Sequence, residues 1–593
     1  MEMRVDSGGC GLESGERSVF RRLHVIAAAL LNLYTSGVAI PSINMNSRVL
    51  QLDCRDNVWV ALTNLKRGEI TACDGRKQAL QTDIPAKHKF AITDLLVGDP
   101  VLMYGVLVGK AVKPIAAGEL LTTANIQHQA APFHQQGAKF HWSAPDITRW
   151  QQRHFLGYPR SDGQVGTRNY WMVVPLVFCE NKNIQVMKQA FEEELGFAAP
   201  QLYRRQVAEL AKLFREGQLE GVQSAAATAE PTGGKQSRLF DNVDGIRFLL
   251  HEGGCGGTHE DSRNLCGLIA GYIHHPNVAG ATVLSLGCQH AQIEILQAEI
   301  RKCSPTIDKP LFIFEQQKSG SEAAMMREAI RQTFLGLVES DKARRSPAPL
   351  SKLCIGLKCG GSDGFSGISA NPAIGHTSDL LAALGGRTLL SEFPELCGVE
   401  QGLIDRGRNS AVGDRFMQLM RDYAARAAAV RSTFEMNPSP GNMRDGLLTD
   451  AMKSAGAAKK GGTSPVTAVL DYPEYSTEPG LNLQCTPGND VECVTAQVGA
   501  GASVVLFTTG LGTPTGNPIA PVVKLSTNSA LARRMYDIID VDTGPIVEGE
   551  CTIQQMGETI LDYVIKVASG EVHTKAELKA QEDFIPWKRG VSL

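Results

Sequence analysis

Four stretches of this chain run from an apolar, strand-like segment into a polar turn and meet a cysteine there. They read MVVPLVFCEN, LLHEGGCGG, VLSLGCQH and LCIGLKCGGSDG, and they place Cys179, Cys255, Cys288 and Cys359 at or just past strand ends. In an open parallel sheet the carboxyl ends of the strands share one edge, and ligands sit there. The pattern therefore constrains the chain to an α/β arrangement in which four thiols reach one edge and can meet at a metal. Packing and disulfide roles are the competing readings of the same residues.

The rest of the sequence supports that architecture. Beyond Tyr158, apolar segments such as YWMVVPLVF, GATVLSLG, PLFIFEQ and SVVLFTTG alternate with helical ones such as NIQVMKQAFEEELGF and DRFMQLMRDYAARAAAVRSTFEM. Alternation of this kind predicts parallel α/β structure. Upstream, LQLDCRDNVWVALTNLKRGE and repeated glycine turns predict a small, mostly β module. The expected division is an extension without fixed structure over 1–45, a β domain over 46–129 and a packed linker over 130–157. Two parts of an α/β catalytic region follow, over 158–345 and 346–593. Residues 1–45 read as an upstream extension or an early start, with a secretory signal as the alternative.

Composition excludes some partners. The 59 basic and 62 acidic side chains leave a net charge of −3, with no basic stripe for nucleic acid. The apolar run from Leu23 to Ile40 is broken by His24, Asn32, Tyr34, Thr35 and Ser36, which makes it a poor membrane span. Fourteen dispersed cysteines without a CxxC pair read as reduced thiols in a cytoplasmic protein.

Several loops carry candidate chemistry. In KCGGSDGFSGISANPAIG, glycines let backbone N–H groups approach an anionic ligand, and Ser362, Asp363, Ser366 and Asn371 add hydrogen-bonding groups. HEGGCGGTHED puts His251 and Cys255 on one glycine turn, a pair suited to a transition metal. SDGQVGTRNY offers Arg168 and Asn169 to a substrate carboxylate, with a structural ion pair as the competing role of Arg168. SEFPELCGVE brings Glu392 and Glu395 to a strand end, as ligand and base or as solvated groups. The late loops CTPGND and VKLSTN add Asn489, Lys524 and Asn528 for anionic oxygens.

In their order, SDGQVGTRNY, HEGGCGG, LGCQ, KCGGSDGFSGISANPAIG, SEFPE, NPSPGN, LNLQCTPGND and GLGTPTGNP…VKLSTN resemble the altronate/galactarate dehydratase family. The resemblance runs from about Asn46 to the C-terminal GVSL. KHKFAITDLLVGDPVLMYGVLVGKAVKPIAAGELLTTANI, with His88, resembles the family's N-terminal SAF-type (β-clip) domain. This chain departs in the doubled glycine pair around Cys255 and in residues 1–45. The resemblance implies a hydro-lyase closer to altronate dehydratase, taking D-altronate to 2-keto-3-deoxy-D-gluconate. The alternatives are galactarate or another aldarate as substrate, a related sulfo-lyase, or a non-catalytic sugar-acid sensor. It also implies Fe2+ or Mn2+, placed here on some subset of Cys255, Cys288, Cys359 and His251. Arg168, Asn169, Lys524 and Asn528 would hold the carboxylate and hydroxyls. His251 or Glu392 would be the base, with Lys524 a competitor. An iron–sulfur cluster on three or four thiolates is the alternative cofactor. The expected partner is a small sugar acid, with a homodimer possible.

Overall fold

The computed structural model describes residues 47–135, 140–198, 202–224 and 238–592. The expected extension over 1–45 lies outside the described residues.

Eight short strands between Val49 and Gln127 form the first unit, in three small antiparallel sheets. Two of its hairpins close on Asp74-Gly75 and Tyr104-Gly105, where both residues have positive φ. That is the type I′ geometry whose twist matches the strands it joins. The unit does not hang free. Val60, Val101 and Val108 share one apolar cluster with Phe365, Ile368, Leu448 and Met452 from the far end of the sequence. Lys87 reaches across the same boundary to Asp363 and Asp445, at 3.0 Å each. A Cβ on Gly364 would fall 2.3 Å from the Lys87 carbonyl oxygen, so glycine is what permits this close docking.

Two parallel sheets dominate the remainder, beside a small antiparallel sheet of Val165–Gly166, His154–Pro159 and Ser346–Pro349. In the first the strand order is Gly245–Phe248, Tyr170–Pro175, Val278–Ser285, Leu311–Glu315. The second has seven strands: Val466–Leu470, Gly480–Gln484, Arg387–Leu390, Cys354–Cys359, Val504–Thr509, Val522–Ser526 and Val541–Asp542. Most central strands are buried along their whole length because helices cover both faces, which is why they read as continuous apolar runs. The helices His259–His274 and Asp490–Gly499 pack together between the sheets. One core cluster accordingly includes Met172, Leu268 and Val283 together with Cys354, Val494 and Phe507.

The α/β architecture is as the sequence predicts, with one difference. The four thiol-bearing strands are divided between two sheets, Cys179, Cys255 and Cys288 belonging to the first and Cys359 to the second. In the larger sheet the chain leaves strand Cys354–Cys359 toward one side, and later returns to its other side with Val504–Thr509. That reversal is a topological switch point, where the loops beyond adjacent strands part and leave a crevice. Cys359 is the last residue of its strand at that point.

Candidate active site

Around Cys359 the switch point gathers charge. Glu392 follows strand Arg387–Leu390 and takes φ 67°, a left-handed conformation uncommon for a residue with a side chain. Its amide donates to Thr486 Oγ1 (2.9 Å), which helps hold that geometry. Such strain concentrates where function requires a fixed side chain. The following 3-10 turn, Phe393–Leu396, supplies Glu395. Cys359 Sγ lies 3.2 Å from Glu395 Oε2 and 3.9 Å from Glu392 Oε2.

Three lysines close on the same groups. Lys460 donates to Cys359 Sγ (2.8 Å) and to Glu392 Oε2. Lys358 donates to Glu392 Oε1, to the Gly488 carbonyl (3.1 Å) and to Asp490 Oδ1 (2.9 Å). Lys453 pairs with Glu395 Oε1 (2.7 Å) and donates to Asn437 Oδ1 (3.1 Å). Lys358 and Glu392 are fully buried, and Cys359, Glu395 and Lys460 are each no more than 2% exposed. Buried charges persist only when paired, so the set is mutually dependent.

Burial, reinforced by the two carboxylates, pushes the Cys359 thiol up to about 12, so it is a neutral S–H that donates to Glu395. Burial opposes ionisation of Glu395, but Lys453, Lys358 and Lys460 hold it well below the usual carboxylate range. Against the same burial cost, the neighbouring anionic groups keep all three ammonium groups above the ordinary lysine value. An open pocket of about 260 Å³ meets this cluster, with Pro394, Tyr423, Phe434, Asn437, Gly488 and Asn489 in its wall. Gly488 abuts Glu395: a Cβ there would lie 3.5 Å from Oε1.

Lys524 lies one strand further along. Lys358, Phe507 and Lys524 are in register on three adjacent parallel strands, so they share a face. The Phe507 ring centroid is 5.9 Å from Lys358 Nζ and 4.3 Å from Lys524 Nζ. Burial pulls Lys524 down to about 7.

Other sequence candidates have structural work. His251 is buried, its Nδ1 accepting from Gly253 N–H (3.1 Å) and its Nε2 lying 2.7 Å from the Pro175 carbonyl. Burial lowers it to about 4, and with both nitrogens engaged it offers neither a base nor a metal ligand. Arg168 forks onto Glu577 (2.7 and 3.1 Å) and also donates to the Thr167 and Val567 carbonyls. The competing structural role is the one it plays. Asn169 accepts from Arg160 (3.0 Å) and donates to the carbonyls of Asn242 and Ser340. All three side chains suit a ligand chemically, and in this structure their hydrogen bonds go to neighbouring protein groups.

The loop after Cys359 is likewise a joint. Asp363 accepts from Phe365 N–H, Ser366 and Thr527, and pairs with Lys87 of the β domain. Asn371 bridges Thr508 (2.6 Å) and the Gly456 carbonyl, and the Ser362 carbonyl accepts from Asn442. Asn489 and Asn528 cap the helices Asp490–Gly499 and Ser529–Arg534 with their side-chain oxygens. Of these, Asn489 also reaches the pocket wall. His88 sits in the docking loop, with Nδ1 3.2 Å from the Ala86 carbonyl.

The expected metal set does not assemble. Among the described residues one group of His, Cys, Asp or Glu places three ligand atoms within 4.8 Å of one another: Cys359, Glu392 and Glu395. Cys255, Cys288 and His251 stand apart from it. A thiol and two carboxylates are donors that a divalent ion accepts. Here, however, three ammonium groups already face Glu392, Glu395 and Asp490, and the thiol is protonated. A doubly charged ion would have to enter against all three lysines. The cluster does not fit one.

Lys358, Lys453 and Lys460 escaped the sequence reading. Lys358 directly precedes Cys359, and Lys460 lies in the AAKKGG run, where lysines ordinarily read as solvated.

Comparison with known proteins completes the site. Residues 47–129 match the altronate/galactarate dehydratase SAF domain, and residues 157–340 match the second domain of D-galactarate dehydratase/altronate hydrolase. Residues 350–592 match the C-terminal domain of D-galactarate/altronate dehydratase. The chain is 32% identical to altronate dehydratase of Escherichia coli (strain K12) over 545 residues, covering 92% of this chain and 99% of the relative. Identity to altronate dehydratase of Bacillus subtilis (strain 168) is 32% over 546 residues, with the same shares covered. Galactarate dehydratase (L-threo-forming) of E. coli K12 is 30% identical over 497 residues, 83% of this chain and 87% of the relative.

Proposed function

The chain belongs to the altronate/galactarate dehydratase family, and from that membership we propose that it removes water from D-altronate to give 2-keto-3-deoxy-D-gluconate, at the lysine-ringed switch point around Cys359. It is a hydro-lyase acting on a sugar acid. The observation that carries the siting is the convergence of three buried ammonium groups beside a pocket.

The chemistry needs such a place. The C2 proton, α to a carboxylate, is barely acidic, because its removal leaves a dianionic enediolate. Fixed cations in a water-poor site lower that barrier most effectively. Lys358, Lys453 and Lys460 are such cations, paired here with protein carboxylates and available to the substrate's one carboxylate and the charge that develops beside it. The proton needs an acceptor that is unprotonated near pH 7 and has a lone pair to spare, and Lys524, drawn down to about 7, meets that requirement better than Glu392, whose two oxygens are held by lysines. The amine of Lys524 takes the C2 proton and the C3–O bond breaks. The hydroxide leaves as water with a proton from the Lys460 ammonium, and the resulting enol becomes the 2-keto-3-deoxy acid. The described cysteines are free thiols, which supports a reducing, cytoplasmic setting.

Incubating the anaerobically prepared chain with a panel of aldonates and aldarates, and scoring 2-keto-3-deoxy acids, tests the assignment. Turnover highest on D-altronate is expected. Turnover highest on galactarate would move the substrate to the aldarates, and no turnover on any member would overturn the reading.

A further inference from the structure

The turn NPSPGN, residues 437–442, is fastened to the reaction site at both ends. At its far end the Asn442 side chain donates to the Ser362 carbonyl (2.7 Å), in the loop that follows Cys359. Ser439 and Asn442 also close a capping box on the short helix Pro440–Arg444. At its near end Asn437 stands in the pocket wall beside Gly488. A Cβ on Gly488 would lie 3.6 Å from Asn437 Oδ1 and 3.5 Å from Glu395 Oε1, so amide and carboxylate flank the same piece of backbone.

The amide of Asn437 can face only one way. Lysine donates and does not accept, so Lys453 Nζ takes the amide oxygen (3.1 Å). The amide nitrogen then donates to Asp450 Oδ1 (3.3 Å). An amide nitrogen carries two hydrogens and an ammonium three. Lys453 spends one on Asn437 and one on Glu395 (2.7 Å), so each group keeps one hydrogen without a partner among the described residues. Two spare donors on adjoining groups match the oxygens of a carboxylate, or of a carboxylate and the hydroxyl beside it.

Asp450, behind Asn437, is 1% exposed, and its Oδ2 has no hydrogen-bond partner among the described residues. It opens the helix Asp450–Ala457, where free N–H groups ordinarily favour a carboxylate anion. Here they are spent elsewhere: Ala451 N–H donates to His128 Nδ1 (3.3 Å) and Met452 N–H to Thr449 Oγ1 (3.2 Å). A buried oxygen without a donor costs far less protonated than charged. The surrounding charges act in the same direction. Glu395, on the turn Phe393–Leu396, and Glu435, on the turn Phe434–Met436, add negative charge. Burial lowers His128 and raises the Cys397 thiol, so both are neutral near pH 7. Lys453 and Lys460 are paired with Glu395 and Glu392, Lys459 lies against the Tyr104 ring (5.8 Å), and Lys110 is half-buried on the strand Val106–Ala111. Burial, with the Glu395 charge beside it, pushes the Asp450 carboxyl up to about 8.

We propose that Asn437 binds the substrate, its spare amide N–H donating to an oxygen at the carboxylate end of the sugar acid next to the Lys453 ammonium, and that protonated Asp450 is the positioning residue that fixes this amide. An ionised Asp450 would draw both donors to itself and set a second anion beside Glu395, where the substrate's own has to enter. The assignment rests on the function proposed above and names the residue that reads the acid.

Initial rates of the anaerobically prepared full chain on D-altronate test it. Asn437→Ala is expected to raise KM about tenfold or more, the worth of a hydrogen bond to a charged group, with kcat changed less. Asp450→Leu removes the acceptor and should raise KM likewise, and Asp450→Asn, which restores it, should recover most of the loss. In the unaltered chain kcat/KM should fall as pH rises through about 8, because the neutral acid is the form present below that value. Asp450→Asn should abolish that fall, which a purely structural role would leave in place. Denaturant unfolding of each variant separates a lost contact from a lost fold. An unchanged KM in folded Asn437→Ala, no fall near pH 8 in the unaltered chain, or a fall that survives in Asp450→Asn would each overturn the proposal. If the unaltered chain binds D-altronate without turning it over, the dehydratase reading alone fails. The same variants are then compared by dissociation constant, and equal affinity in Asn437→Ala would overturn this proposal as well.

Discussion

Lys460 touches the Cys359 sulfur and a Glu392 oxygen at once, and Lys524 sits where burial makes an amine a usable base near pH 7. If Lys524 takes the C2 proton, kcat/KM rises with pH through about 7 as the ammonium loses its proton. Lys524→Gln should remove that ascending limb along with most of the activity. A profile whose limb survives in the variant would assign the base elsewhere. Arg168 makes the opposite point. Arg168→Met strands the Glu577 carboxylate in a buried site and should cost about 3 kcal/mol of stability, with the KM of the folded fraction unchanged. A raised KM at unchanged stability would restore the substrate role. At this scale the sequence was partly legible. Glu392 and Cys359 stood out because each ends a strand at a polar turn. Arg168 and His251 were ambiguous in the sequence because a fork or an imidazole serves a buried joint as well as a ligand, and here their partners are those of a joint. Lysine runs look solvated until the fold encloses them.

Strands and helices were the most legible level, since apolar periodicity follows directly from which faces are covered. What periodicity leaves open is pairing. The four cysteine-bearing segments look alike in sequence, yet three enter a four-stranded sheet and the fourth a seven-stranded one. Polar loop residues look like ligand donors in the sequence, yet several serve element ends. Asn489 accepts from Val491 and Glu492 N–H at the start of Asp490–Gly499, the helix that brings Asp490 to Lys358. Asn489→Ala should cost about 1 kcal/mol in denaturant unfolding through the lost cap, and Asn489→Asp should largely recover it. Equal loss in both variants would contradict a capping role.

The whole molecule explains why the site needs a chain this long. The β domain supplies Lys87 to Asp363, whose loop follows Cys359, and the sheet core continues through the helix pair into the neighbouring α/β unit. Three parts therefore fix one crevice, and membership of the family spans all of them. Domain order was legible from the shift between short alternating segments and long apolar strands. Their docking was not, because the glycines and lysines at the contacts carry no periodic signal. The proposed function depends on dehydration taking place among the buried lysines. Its most direct test is kcat/KM for D-altronate in Lys358→Met, Lys453→Met and Lys460→Met, prepared anaerobically with their folding checked by denaturant unfolding. Each is predicted to fall about 10²-fold or more while remaining folded; rates equal to those of the unaltered enzyme in all three would contradict it.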